Sequence, residues 1–319
     1  GWSNGFGLCL DGSNLYIVGS TDEDSLLMKY SQNGSLIWAR EYGADGSDLL
    51  IGCEMDYEGN VIAVGQSYAL GEGSTDLLLL KYSQDGQLLR AMTWGTSDYE
   101  YVGRSFSQDD FGNIYICGRW NVYGGESLAL ILKFDMNWNV LWAKLWGGTS
   151  SDGAISIAAA DGAIYVCGDT ESFGAPEGDA FILKMDEDGN VLWARTWGTD
   201  FSDAFYSVAV VDEGSIVVAG NTCDTDSNFF GIATKLNSEG HMIVTAGWDE
   251  GKYSLFNFVT ANPYEGITLV GNSMAGITIL ELAGDLSFVQ GESWFGTVYD
   301  RGPNCCKYDN EANLYLVGS

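Results

Sequence analysis

Seven times along the chain a short apolar run ends in glycine: NLYIVG at Gly19, NVIAVG at Gly65, NIYICG at Gly118, AIYVCG at Gly168, SIVVAG at Gly220, GITLVG at Gly271 and NLYLVG at Gly318. Successive glycines are 46, 53, 50, 52, 51 and 47 residues apart. A fixed period of about 50 residues means that one supersecondary unit recurs, and that neighbouring units must stack to bury a shared core. Between the runs lie clusters of Gly, Asn, Asp and Ser, the punctuation of an all-β chain. No stretch keeps a helical period over three turns, and none is apolar for long enough to cross a membrane as a helix.

The fourth repeat shows the unit most clearly. Ala154 to Ala160 reads as a first strand, and Asp161-Gly162 turns into Ile164 to Cys167. The loop DTESFGAPEGD leads to Phe181 to Met185, and DEDGN turns into VLWARTW before Gly198. Four short antiparallel strands form a blade, and blades arranged radially form a β-propeller that exposes only short edges. The expected fold is therefore a single all-β propeller over 1–319, with approximate repeats 1–49, 50–102, 103–154, 155–205, 206–255, 256–303 and a partial 304–319. Seven blades with an incomplete last one is the favoured count, and six blades is the alternative.

The outer strands carry large rings in register. Trp38, Trp142 and Trp193 recur at one position, and Tyr42, Trp94, Trp146 and Trp197 four residues later. They share the parity of inward-facing positions, so packing between blades is expected rather than a sugar-stacking row. The lysines Lys29, Lys81, Lys133, Lys184 and Lys235 recur likewise and are expected to pair with blade carboxylates; Arg40, Lys144 and Arg195 mark a further position.

On these motifs the chain resembles the SBBP-type β-propeller repeat of bacterial and archaeal secreted and cell-surface proteins. DGAIYVCGDTESFGAPEGDAFILKMDEDGNVLWARTWG carries the resemblance, as do DGSNLYIVGSTDEDSLLMKYSQNGSLIWAREYG and two further copies in repeats two and three. It weakens in the fifth repeat, at Gly247-Trp248-Asp249, and in the sixth, where Glu281 replaces the lysine. The resemblance implies a propeller and an extracellular or cell-surface location; it implies no single activity.

Charge narrows the partners. With 44 acidic and 14 basic residues the net charge is −30, which repels nucleic acid and anionic lipid and favours cations or basic partners. Nucleic-acid binding and membrane insertion of this segment are excluded on this reading. Gly1 to Asn4 carry no leader-like pattern, so the chain reads as a mature or excised segment. Its seven cysteines cannot all pair within a monomer. Cys117 and Cys167 replace a strand valine and read as buried thiols, while Cys9 and Cys305 could bridge near the closure. Asn33-Gly34-Ser35 reads as a hairpin turn rather than a glycosylation site.

The loops between second and third strands and the blade-to-blade connections share one face, where a rigid scaffold would present a binding site. Its large rings, Tyr68, Trp120, Tyr123 and Phe173, are the ligand-binding candidates. Asp48, Glu100, Asp152 and Asp203 each follow an outer-strand glycine by five residues and could ring the channel mouth as oxygen ligands for Ca²⁺. The plainer reading is that each accepts backbone N–H groups of its own loop. Tyr253 and Arg301 at that position in the last repeats argue against a closed ring. A second acid position, Asp24, Asp76 and Asp179, has the same structural explanation. Asp186-Glu187-Asp188-Gly189 lacks the remaining acids of a calcium loop and reads as a turn.

The catalytic inventory is thin. His241 is the only histidine, and no phosphate loop or dinucleotide fingerprint is present. The leading expectation is a non-catalytic surface propeller that binds a protein, peptide or glycan through its loop face. The alternatives are a structural subunit of a surface layer, filament or adhesin, assembling with itself or with domains of a parent protein, and a carboxylate-based hydrolase or lyase.

Overall fold

A computed structural model describes residues 4–44, 46–72, 74–122, 125–212, 214–249, 253–274, 276–294 and 302–318. Blade 1 is β1 (Asn4–Leu10), β2 (Asn14–Ser20), β3 (Ser25–Ser31) and β4 (Leu36–Tyr42). Blade 2 is β5 (Asp48–Met55), β6 (Val61–Ser67), β7 (Asp76–Tyr82) and β8 (Leu88–Trp94). Blade 3 is β9 (Tyr99–Gln108), β10 (Ile114–Asn121), β11 (Ser127–Phe134) and β12 (Val140–Trp146). Blade 4 is β13 (Asp152–Ala160), β14 (Ala163–Thr170), β15 (Asp179–Asp186) and β16 (Val191–Trp197). Blade 5 is β17 (Ala204–Asp212), β18 (Ser215–Cys223), β19 (Phe229–Leu236) and β20 (Met242–Trp248). Blade 6 is β21 (Ser254–Ala261), β22 (Ile267–Ser273), β23 (Gly276–Leu282) and β24 (Phe288–Trp294). A last sheet has two strands, β25 (Pro303–Tyr308) and β26 (Leu314–Gly318).

All sheets are antiparallel and run in chain order from the axis outward. Among the described residues there are six four-stranded blades, the count of the six-bladed alternative, and a two-stranded sheet at the place where the favoured expectation put an incomplete seventh blade. The two-stranded sheet sits between the ends of the ring: β25 packs against both β21 and β1, and Asn304 Nδ2 donates to Gly5 O at 2.8 Å. The described residues contain no helix long and apolar enough to cross a membrane.

A blade has two apolar faces, and the core is accordingly divided by junction. One cluster joins blades 1 and 2 around Tyr16, Val18, Leu50 and Leu80, and similar clusters occupy each later junction. The outer tryptophans close these junctions. Trp38 lies over Gly86 in the hairpin turn of the next blade, and its Nε1 donates to Gln84 O at 3.0 Å. Trp142 repeats this on Gly189 and Glu187 O, and Trp193 on Gly240 and Ser238 O.

The repeat lysines use the same turns. Lys29, Lys133, Lys184 and Lys235 donate to Gln84 O, Glu187 O, Ser238 O and Gly284 O of the following blade at 2.7–3.1 Å. Carboxylate pairing, expected for the whole set, is found for Lys81 with Asp56 (2.6 Å) and Glu58 (2.9 Å), and at 3.7 Å for Lys29 with Asp11. A turn carbonyl presented by every blade serves a register-fixed cation as well as an acid would, without a second buried charge.

All seven cysteines are free, six of them buried, so Cys9 and Cys305 form no bridge. Asn33-Gly34 is a hairpin turn with Gly34 at φ 82°. Asp186 caps its own turn, accepting from Asp188 N at 3.0 Å and Asn190 N at 2.8 Å.

Candidate functional site at the channel mouth

Each inner strand loses register with its second strand near its start, and β17 does so again between Val210 and Asp212. The pairing skips Phe6, Ile51, Ile155, Tyr206, Asn257 and Asn304 in six of them. In β9 it jumps from Val102 to Phe106, so the bulge is larger and holds Arg104. A β-bulge bends its strand and re-aims the side chain of the extra residue.

The bulges explain the recurrent glycines. A Cβ on Gly19, Gly65, Gly118, Gly168, Gly220 or Gly271 would overlap the carbonyl oxygen of Asn4, Leu49, Tyr101, Gly153, Ala204 or Leu255, just ahead of each bulge. Gly318 meets Gly302 O in the same way. Only glycine lets the second strand lie against the tilted inner strand.

The bulged residues converge on the axis. A cavity of about 530 Å³ opens at the loop-face end, lined by Phe6, Ile51, Arg104, Ile155 and Asn304 from the bulges, with Leu49, Gln66, Tyr101, Val102 and Arg119 among the rest. Below it lies a waist of about 170 Å³ that Arg104 also lines, with Glu54 and Lys307. A third space of about 570 Å³ opens on the hairpin-turn face beside Asp11, Glu54 and Lys307.

The walls of the loop-face cavity are mainly apolar, and its charge is cationic. Arg104 is exposed to the channel, yet protein atoms crowd around its guanidinium, and the resulting desolvation lowers its pKa. Its Nη1 donates to Asn257 Oδ1 at 3.1 Å, and its guanidinium lies 4.5 Å from the Tyr206 ring centroid. Asn257 is held in turn by donating to Asn272 Oδ1 at 2.6 Å and to Pro303 O at 3.2 Å. Among the described residues no carboxylate reaches Arg104 at ion-pair distance. Arg119 differs: its Nη2 grips both oxygens of Asp169, at 2.9 and 2.8 Å. Burial still leaves the Asp169 pKa raised, an effect that Arg119 only partly offsets.

The sequence-predicted rings divide. Tyr68 is exposed beside the cavity, its hydroxyl accepting from Gln66 Nε2 at 2.8 Å. Trp120 packs into the core between blades 2 and 3. Phe173 leans on Trp146, with ring centroids 5.2 Å apart, and is half exposed. Tyr123 lies outside the described residues. Of the three described candidates, Tyr68 alone stands at the channel mouth.

The four carboxylates are all buried, and each binds its own connection. Asp48 Oδ2 accepts from Ala44 N (2.9 Å), Glu100 Oε2 from Thr96 N (3.2 Å), Asp152 Oδ2 from Gly148 N (2.8 Å) and Asp203 Oδ2 from Thr199 N (2.6 Å). None lines the channel-mouth cavity. Among the described residues no group of three His, Cys, Asp or Glu side chains could hold a metal. The parallel bridge of Phe229 with Tyr253 matches that of Thr75 with Tyr99, so Ser254 rather than Tyr253 corresponds to Glu100; Arg301 lies outside the described residues.

One acid pair approaches the geometry of a hydrolase. A Cβ on Gly95 would meet both Asp76 Oδ1 and Glu100 Oε2, and burial together with Glu100 pushes the Asp76 pKa up to about 6. Both acids are enclosed, however, and the space beside Glu100 is about 10 Å³, too small for any substrate.

Arg104, Arg119, Asn257 and Asn304 belong to no sequence motif. Their signal is subtractive: eight basic residues occupy two repeat positions, and three of the six others, Arg104, Arg119 and Lys307, line the channel.

No known family's sequence profile matches the chain. A segment is 35% identical over 85 residues to a protein named regulatory protein FlaEY of Caulobacter vibrioides; the match covers 23% of this chain and 9% of that protein. Among solved structures, the Neurospora crassa Pan2 WD40 domain matches with a TM-score of 0.61 at 12% identity, covering 99% of this chain and 89% of that one. A chain of the Drosophila Plexin A complex with Semaphorin 1b matches at 0.58 and 9% identity, covering 99% and 84%. A glucose dehydrogenase matches at 0.54 and 12% identity, covering 89% and 97%. At such identities these likenesses concern architecture alone. They include a chain from a protein complex and an enzyme, and the chain is a β-propeller built of four-stranded antiparallel blades.

Proposed function

We propose that the protein is a non-catalytic binding propeller that takes a carboxylate-bearing, otherwise apolar group of a protein or peptide partner into its loop-face cavity. The observation that carries this is Arg104, a guanidinium positioned by Asn257 and Tyr206 at the floor of an apolar-walled cavity with no carboxylate partner among the described residues. Charge-assisted hydrogen bonds gain strength where water is restricted, so such a group is a strong anchor for one anion. The net charge of −30 repels a generally acidic partner, so the fitting ligand is a basic or neutral chain that offers a single carboxylate, as a free C-terminus does. The likeness to a chain of the Drosophila Plexin A complex with Semaphorin 1b, a protein–protein complex, is in keeping with this reading.

An extracellular or cell-surface setting and an SBBP-type origin belong to the same proposal, supported by the repeat motifs. In it the β25–β26 sheet is the inner half of a seventh blade, because it has the bulge, the glycine and the place between β21 and β1 that a blade requires.

The test uses basic peptides ending in Leu, Phe or Ile, each prepared as the free acid and as the amide, with binding read by fluorescence anisotropy. At least one free acid should bind about tenfold or more tightly than its amide, the difference expected for a hydrogen bond to a charged group. Arg104→Gln should erase that difference. Equal binding of acids and amides across the set would overturn the assignment.

A second reading, lateral self-assembly, rests on one observation. Every outer strand begins with an exposed apolar pair: Leu36-Ile37, Leu88-Leu89, Val140-Leu141, Val191-Leu192, Met242-Ile243 and Phe288-Val289. Such a belt favours contacts between copies. Sedimentation that remains monomeric at high concentration would remove it.

A further inference from the structure

We infer that the junctions between blades 1 and 2 and between blades 4 and 5 each hold a hard divalent cation, Ca²⁺ by ligand preference, between a carboxylate at the start of one blade's third strand and a carboxylate at the start of the next blade's inner strand. The pairs are Asp24 with Asp48, and Asp179 with Asp203. This arrangement is local to each junction and differs from a ring of acids around the channel.

Proximity comes from the glycine that ends the outer strand. A Cβ on Gly198 would stand 2.5 Å from Asp179 Oδ1 and 2.7 Å from Asp203 Oδ2, and one on Gly43 would overlap Asp24 Oδ1 and Asp48 Oδ2. Each pair of oxygens therefore lies within about 5 Å, the span that one Ca²⁺ bonded at about 2.3–2.6 Å bridges. The ion pairs found among the described residues engage other acids, so neither pair has a protein counter-charge within reach. Asp179, Asp203 and Asp48 are buried and Asp24 is partly buried, and carboxylates facing each other in such surroundings without compensation are costly.

The second observation is the state of the oxygens. Asp48 Oδ1, Asp179 Oδ1 and Asp203 Oδ1 are buried without any hydrogen-bond partner, on residues 1%, 6% and 1% exposed. Asp179 Oδ1 is the atom that faces Asp203 across Gly198.

The neighbouring junctions act as internal comparisons. Between blades 3 and 4 the third-strand acid is replaced by Leu128, which packs near Gly147. There Asp152 is fully engaged: Thr170 donates to Oδ1, Ser172 to Oδ2 at 2.7 Å and Gly148 N to Oδ2 at 2.8 Å. Between blades 2 and 3, both Glu100 oxygens are taken by Thr96, and Asp76 Oδ1 by Glu72 N. Asp48 Oδ2 and Asp203 Oδ2 likewise accept from Ala44 N and Thr199 N, but among the described residues the buried carboxylate oxygens without a partner, Asp48 Oδ1, Asp179 Oδ1 and Asp203 Oδ1, all lie at the two junctions assigned here. Two carboxylates supply up to four of the six to eight oxygens that Ca²⁺ takes, so the expected Kd is about 0.1–1 mM.

The test is Ca²⁺ counting by equilibrium dialysis on the chelator-treated full chain at neutral pH and physiological salt. It is paired with Tb³⁺ luminescence sensitised through Tyr42 and Trp197, which directly precede Gly43 and Gly198. The expected count is two per chain, with Ca²⁺ displacing the Tb³⁺ signal. Asp179→Asn and Asp24→Asn should each remove one site, and Asp188→Asn, in an exposed hairpin turn, should remove none. Asp203→Asn serves the same purpose if the first variant fails to fold. No stoichiometric binding at millimolar Ca²⁺, or a count of two that survives both variants, overturns the assignment.

Discussion

The linkage between strand-ending glycines and channel bulges makes a quantitative prediction for Gly168→Ala. Gly168 lies within the extended strand β14, so alanine meets no dihedral penalty there. By itself the change would stabilise the protein by about 0.4–1 kcal/mol, because alanine restricts the unfolded chain. The new Cβ, however, overlaps Gly153 O, and Phe181 Cε1 at 3.0 Å closes the other side. The obstacle is backbone, so relief requires the Ile155 bulge to move, and overpacking of this kind costs about 1–3 kcal/mol. The net loss is about 1–2 kcal/mol. Gly247 is the control: it is also in a strand, and a Cβ there meets nothing within 4 Å. Gly247→Ala should therefore gain about 0.4–1 kcal/mol. Urea unfolding followed by tryptophan fluorescence and far-UV dichroism reads both changes. With a slope of about 3 kcal/mol/M, the midpoint should fall by roughly 0.5 M for Gly168→Ala and rise by roughly 0.2 M for Gly247→Ala. Equal midpoints for the two variants would refute the idea that the inner-strand carbonyl dictates the glycine.

Three further outcomes follow from particular contacts. Burial and Glu100 raise the Asp76 pKa to about 6, above its ordinary 3.8, so between those values the folded state holds the extra proton. In chelator, stability should rise as pH falls from 7.5 to 5, and Asp76→Asn should flatten part of that rise; an unchanged slope in the variant would count against the shift. Trp138 sits at φ 59° in a hairpin turn with Arg90 4.8 Å from its ring, where other junctions place a tryptophan over a glycine turn. Trp138→Gly alone should cost about 2–4 kcal/mol, and Arg90→Trp added to it should recover at least half, as read from the unfolding midpoints of the double-mutant cycle. Burial raises the thiol pKa of Cys53, Cys117, Cys167, Cys223, Cys305 and Cys306, so a thiol-exchange reagent should count seven thiols in denaturant and at most one in the native protein at neutral pH.

The architecture was legible because it rests on features that repeat. The glycine period, the Asn-Gly and Asp-Gly turns and the outer tryptophans each solve a backbone or packing problem that every blade shares, so the solution recurs in the sequence. Where a junction solves the problem differently, the pattern breaks although the physics holds: Arg90 and Trp138 exchange the roles that Trp38 and Gly86 play one junction earlier. The channel was hidden for the opposite reason. Its lining comes from the bulge position, and there the successive residues are Phe6, Ile51, Arg104, Ile155, Tyr206, Asn257 and Asn304, with no common chemistry to mark them. A bulge leaves no residue-type signature on its own strand; its trace is the glycine on the next strand, 13 or 14 residues on, which makes room for the tilted carbonyl. Read this way, each glycine points to the one inner-strand residue that the fold turns toward the axis. The 53-residue spacing from Gly65 to Gly118, the longest of the set, spans the enlarged bulge that brings Arg104 into the channel. The scaffold is thus a repeated way of aiming one side chain per blade at a common axis, and function lies in which side chains occupy that position.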